Sequence, residues 1–144
     1  MTTLADLVQQ YPSMLVGELK VSMAAIEAVE QALDVTLPAD LKWLLNTCGY
    51  ADATAVPNLD WVRLDTLRFR LAADLAHQFV VLEDMHDSGV VLLDTASSDG
   101  AVVWADWRVA GRLGREEVAA ADAEWFPSLA AYTEDRIQTL LDEE

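Results

Sequence analysis

The spacing of apolar residues changes character along the chain: it is helical from about residue 22 to 48, runs in short β-rich stretches from 79 to 104, and is helical again after 127. In the first part Ile26, Val29 and Leu33 fall on one face while Glu27, Glu30 and Gln31 fill the other, which predicts a helix that Ser22 caps. Pro38 suits the first turn of a second helix and pushes Leu37 into an extended conformation, so a sharp corner separates the two. Leu41, Leu44, Leu45 and Cys48 then recur at i, i+3, i+4 and i+7, and Gly49 stands where a left-handed helix cap is wanted.

Around this pair the chain is read in order. Thr3 caps a short helix with Leu4, Leu7 and Val8 on one face, which Pro12 must end, and a loop through Gly17 leads on. The stretch ADATAVPNLD predicts a loop ending near Trp61. Leu67, Phe69 and Leu71 alternate with Arg68 and Arg70 as in a strand, whereas Leu64, Leu67, Leu71 and Leu75 fit a helical stripe. The strand is the preferred reading, followed by a helical turn from Ala72 to His77. Phe79–Leu82, Val90–Leu93 and Ala101–Trp104 are β-rich runs separated by EDMHDSG and DTASSDG, connections too short for a crossover helix, so they predict an antiparallel meander. RVAGRLGR reads as a loop by its two glycines. Pro127 opens a final helix with Ala130, Thr133, Ile137, Leu140 and Leu141 on one face, fraying at the terminal DEE. The expected architecture is a single α+β domain over residues 1–144: an N-terminal helix pair, a central antiparallel sheet and a C-terminal helix.

Composition narrows the class. A chain of 144 residues, 53% of them hydrophobic, can bury a core without disulfides, and no apolar run approaches the 18 or so residues that span a membrane. The first residues lack the basic start and apolar core of a secretory signal, and a single cysteine suits a reducing compartment, so a soluble, cytoplasmic protein is expected. Nine basic residues against twenty-five acidic give a net charge of −16. The excess is spread, with two basic against six acidic residues up to position 50, three against nine up to 100, and four against ten beyond. Such a surface repels nucleic acid and suits a basic protein partner, although acidity of this kind also serves solubility alone.

Candidate chemistry is sparse. Glu83, Asp84, His86 and Asp87 form the one dense cluster of possible metal ligands, but they sit between two strands where such residues are ordinary turn formers. No cofactor or metal is expected from them. His77 and His86 are the only histidines, neither placed like an acid–base catalyst, and Cys48 falls on the apolar face of its helix as an inert thiol would. GRLG lacks the strand-to-helix setting and the lysine of a phosphate loop. Of five tryptophans, Trp43 and Trp107 are the ones expected to be partly exposed, and Arg63, Arg68 and Arg70 make a basic island balancing nearby acids.

The pattern Ile26, Glu30, Leu33, Leu37-Pro38, Leu41, Leu44, Leu45, Gly49 resembles the SUKH superfamily, which includes fungal cell-wall assembly regulators and bacterial immunity proteins. The meander with its Leu93-Asp94 ending and the Pro127, Ser128, Leu129, Tyr132 start of the last helix are similar too, so the resemblance runs over about residues 20 to 140. It implies a noncatalytic domain that binds proteins, most often an immunity protein that neutralises a cognate toxin domain. A regulatory scaffold of the same fold is the alternative, and a small metal-dependent hydrolase using Asp84, His86 and Asp87 is a third. If the partner is a basic toxin domain, the acids at loop tips are the residues to bind it: Glu83, Asp84 and Asp87 in one turn, Asp99 in the next, and Asp106 beside Trp107.

Overall fold

Four of the six α-helices among the described residues begin where a side chain closes the first free backbone N–H groups, and a computed structural model, which describes residues 2–143, shows those closures in atomic detail. Thr3 Oγ1 accepts from the Asp6 N–H while the Asp6 carboxylate accepts from the Thr3 N–H, starting α1 (Leu4–Gln10). Pro12 ends α1 and at once opens a further turn, α2 (Pro12–Leu15). Ser22 caps α3 (Met23–Leu33) by accepting from the Ala25 N–H. The corner to α4 (Ala39–Thr47) is held by Glu30, whose Oε2 takes the Leu37 N–H at 2.8 Å and Lys42 Nζ at 3.2 Å. Gly49, at φ 75°, ends α4 in the left-handed region, where an added Cβ would meet the Leu19 carbonyl. The expected core residues of this pair, Ile26, Val29, Leu33, Leu41, Leu44, Leu45 and Cys48, are all buried.

The segment from residue 59 corrects the strand reading. It is a 15-residue helix, α5 (Leu59–Ala73), opened by Asn58 Oδ1 accepting from both Asp60 and Trp61 N–H and closed by Asp74 in the left-handed region. Its buried face is Leu59, Val62, Thr66 and Phe69, whereas Leu64, Leu67 and Leu71 of the alternative helical stripe point to solvent. The helical turn expected at Ala72–His77 is absent, because α5 has ended by Asp74.

Four antiparallel strands follow in the order β1-β2-β3-β4: β1 (Phe79–Asp84), β2 (Val90–Asp94), β3 (Val102–Ala105) and β4 (Ala123–Phe126). The meander matches the sequence reading, and β4 adds to it. RVAGRLGR contains a 3₁₀ helix, Trp107–Arg112, in place of the expected loop. The last helix, α6 (Leu129–Asp142), is capped by Ser128 and buries Ala130, Thr133 and Ile137, but Leu141 is exposed. Of the DEE expected to fray, Asp142 is the last helical residue, Glu143 caps it, and Glu144 lies outside the described residues.

Both sheet faces are covered, which explains why β1 and β2 read as continuous apolar runs. Val80, Leu82, Val91, Leu93 and Val102 face a core shared with α1, α3, α4 and α6. Phe79, Val81, Val90, Leu92, Val103 and Ala105 face a second core with Phe69, Leu75, Val109 and Leu113. A bulge interrupts β1: Val81 pairs with Leu92 and Glu83 with Val91, leaving Leu82 as the extra residue. Helix α5 lies along the β1 edge, where Thr66 Oγ1 accepts the Val81 N–H at 2.9 Å. The chain is thus an α+β fold with helices at both ends of the sequence, and among the described residues no helix is long and apolar enough to cross a membrane.

Candidate functional site

The β1–β2 turn and the start of the 3₁₀ helix after β3 lie at the same end of the sheet, because antiparallel strands return the chain to it. The bulge decides where the two acids leaving β1 go. Glu83, opposite Val91, faces the α6 side and lies 3.7 Å from Arg136 Nη1. Asp84, opposite Val90, faces α5 and takes a 2.6 Å hydrogen bond from Arg68 Nη2. Its other oxygen accepts the His86 N–H at 2.9 Å, which holds His86 in the left-handed region at φ 55°. Burial pushes the Asp84 carboxyl upward, but the hydrogen bonds from Arg68 and His86 outweigh it and hold the group below its ordinary value.

Gly89, at φ 108°, lets the turn pass close under Trp104, whose indole N–H donates to the Ser88 carbonyl at 2.7 Å. Across the gap, Asp106 caps the 3₁₀ helix by accepting the Arg108 N–H and binds the Arg108 side chain at 2.8 Å. Those bonds from Arg108 bring the Asp106 carboxyl down to about 2. The neighbouring Trp107 is 57% exposed. It borders a hollow of about 450 Å³ whose floor is Phe69, Ala72 and Ala73 and whose rim carries Asp84, His86 and Asp87. Arg68 forms the ridge between this hollow and a second one of about 460 Å³ that reaches Trp61 and Glu83.

The structure therefore brings Glu83, Asp84, Asp87, Asp106 and Trp107 to one end of the molecule. Asp99 is not with them. It sits in the β2–β3 turn, a strand length or roughly 13 Å away at the opposite end, beside Pro127 and Ser128. Of the five gathered residues Asp84 and Asp106 are already tied to arginines, while Asp87 and Trp107 stand exposed. Sequence reasoning passed over Arg68, which organises both hollows, because the strand reading of 67–71 gave it no defined neighbour. It also passed over Trp61 and Trp125, exposed at 63% and 49% alongside Trp43 and Trp107.

The arrangement suits recognition better than reaction. Among the described residues no three His, Cys, Asp or Glu gather as metal ligands. His77 Nε2 lies 2.8 Å from the Asp34 carbonyl and does not line the hollow. Burial pushes the Cys48 thiol up, away from the reactive thiolate. What the hollow offers is an apolar floor, an exposed indole and a carboxylate rim, a setting for an apolar or cationic side chain of a partner.

A family model described as SMI1 / KNR4 family (SUKH-1) matches residues 20–128, a span that contains α3, α4, α5, all four strands and the hollow. No curated protein matches the chain.

Proposed function

The chain belongs to the SMI1 / KNR4 family (SUKH-1), and from that premise we propose that it is a noncatalytic protein-binding domain, an immunity protein that captures and blocks a basic toxin domain. The observation that carries this reading is Trp107, exposed beside a hollow whose rim carries Asp84, His86 and Asp87. An indole left bare next to an apolar floor is the type of group that anchors an interface. The net charge of −16 draws a basic partner in from a distance, which is a matter of association rate more than of final affinity.

Within this reading the five gathered residues have different tasks. Asp84 and Asp106 set the shape of the rim through Arg68 and Arg108, and Glu83 leans on Arg136. Asp87 is the carboxylate offered to the partner. Asp99 belongs to the general field of the molecule only.

Association kinetics with a candidate basic toxin domain test the proposal. Asp87→Lys should lower the on-rate, and a rise in salt should lower it further, since surface charges act through a Debye length of about 8 Å at physiological ionic strength. Trp107→Ala should leave the on-rate unchanged and raise the off-rate by about 30-fold, the equivalent of a hot-spot loss of ~2 kcal/mol. An on-rate indifferent to salt and to Asp87→Lys, together with an off-rate indifferent to Trp107→Ala, would remove this end of the molecule from consideration.

A further inference from the structure

Helix α5 has two apolar faces, and only one of them is used by the fold. Leu59, Val62, Thr66 and Phe69 are buried. On the outward side Trp61, Leu64, Leu67 and Leu71 are exposed at 63, 55, 39 and 91%, and nothing among the described residues covers them. A lone exposed leucine is unremarkable, but four large apolar side chains along three turns of one helix leave on the order of 500 Å² of apolar surface bare, near the upper limit for a monomer.

Charge selects what covers it. Residues 59–74 carry Arg63, Arg68 and Arg70 against Asp60, Asp65 and Asp74. Residues 106–117, which pack against the end of α5, carry Arg108, Arg112 and Arg115 against Asp106, Glu116 and Glu117. Both segments are neutral, so the whole net charge of −16 lies on the remainder of the chain. A basic partner gains no attraction on the α5 face. A second copy of this chain, repelled everywhere else, can approach there without opposing charge.

We propose that the outward face of α5 is a self-association surface, on which two copies pair α5 antiparallel about a two-fold axis. An axis beside Leu67 sets Leu64 of one copy against Leu71 of the other, twice by symmetry, and brings the two Leu67 side chains together. Such a pairing covers the leucines of the bare stripe on both copies, while Arg68 beside the axis keeps its own Asp65 and Asp84 as partners.

Sedimentation of the 144-residue chain tests this without any partner. The expected species at about 100 µM has twice the 15.8 kDa chain mass, and the dimer tightens as salt is raised from about 50 to 500 mM, because screening weakens the repulsion between the acidic surfaces. Leu64→Asp with Leu71→Asp should weaken association at least tenfold while the circular dichroism spectrum is unchanged, both positions being exposed. A Leu67→Cys chain should form a dimeric disulfide on mild oxidation, since the native Cys48 is buried and cannot compete. A chain that keeps its monomer mass in high salt at about 100 µM overturns the proposal. So does a dimer that survives the double aspartate change or in which Leu67→Cys fails to cross-link.

Discussion

Replacing Thr66 by valine isolates one hydrogen bond that closes a sheet edge. Thr66 is fully buried on α5, and its hydroxyl is the acceptor for the Val81 N–H, which points out of β1 away from β2. Valine has nearly the same shape and helix propensity, so packing and helix stability change little while the acceptor disappears. A buried N–H left without a partner costs about 1–3 kcal/mol. The added methyl returns about 0.8 kcal/mol through burial, so the net loss is about 0.2–2.2 kcal/mol. For a chain of this size that is a fall of up to roughly 8 °C in melting temperature. Thr66→Ser keeps the oxygen and loses one methyl, at about 0.5–1.5 kcal/mol, and separates packing from hydrogen bonding. The assay is urea and thermal unfolding of the three proteins, with hydrogen exchange at the Val81 amide as a local readout. Exchange at Val81 should accelerate in the valine variant and stay slow in the serine variant. A valine variant within about 0.5 kcal/mol of the parent, with Val81 equally protected, would refute the argument that this hydroxyl caps the edge.

Leu44→Ala and Leu45→Ala should each destabilise by about 2–5 kcal/mol, because both are wholly buried between α4 and the larger core, and denaturant midpoints check this. Asp84 has a depressed carboxyl value in the folded state, so its ion pair with Arg68 adds stability above the unfolded value of about 3.9 and loses it as pH falls through the lower folded value. Asp84→Asn should therefore be less stable than the parent at about pH 6 and converge with it as pH falls through the carboxyl's lowered folded value, a difference read from urea midpoints from neutral to acid pH. A chain trimmed to residues 20–128 should fail to melt cooperatively, since it lacks the buried Leu4, Leu7, Leu15, Leu129, Tyr132 and Ile137; amide dispersion in a proton–nitrogen spectrum is the check.

What could be read from the sequence was whatever had one dry face and a clear stop. The α3–α4 pair has both, with Ser22, Pro38 and Gly49 as punctuation, and the meander has glycines at each turn. Helix α5 has neither a single dry face nor an apolar core throughout. Its buried face includes Thr66, a polar residue present for a hydrogen bond, while leucines at 64, 67 and 71 mark the wet side, so periodicity pointed the wrong way. The alternation of Leu67, Arg68, Phe69, Arg70 and Leu71 then imitated a strand. Strand β4 was missed because only Ala123 of its four residues is buried. The candidate site was half legible: turn chemistry grouped Glu83, Asp84 and Asp87, but the strand count that removes Asp99 and the Arg68 link to Asp84 are tertiary facts.

The extra residue in β1 works as a parity shift. Sides of a strand alternate with every residue, so the destination of each carboxylate is fixed by counting from Phe79, and Leu82 offsets the count by one. Pair all six residues of β1 without the bulge and Glu83 and Asp84 exchange directions: glutamate, now opposite Val90, reaches toward Arg68 and aspartate toward Arg136. The composition and formal charge of the acidic end would be unaltered, and yet the longer side chain would stand where the His86 turn is tied and the shorter one would fall away from α6. Deleting Leu82 has a different outcome, since Glu83 stays opposite Val91 and Asp84 opposite Val90 and what is lost is the burial of the bulge residue. The bulge, rather than the order of the acids, thus decides which arginine each carboxylate meets.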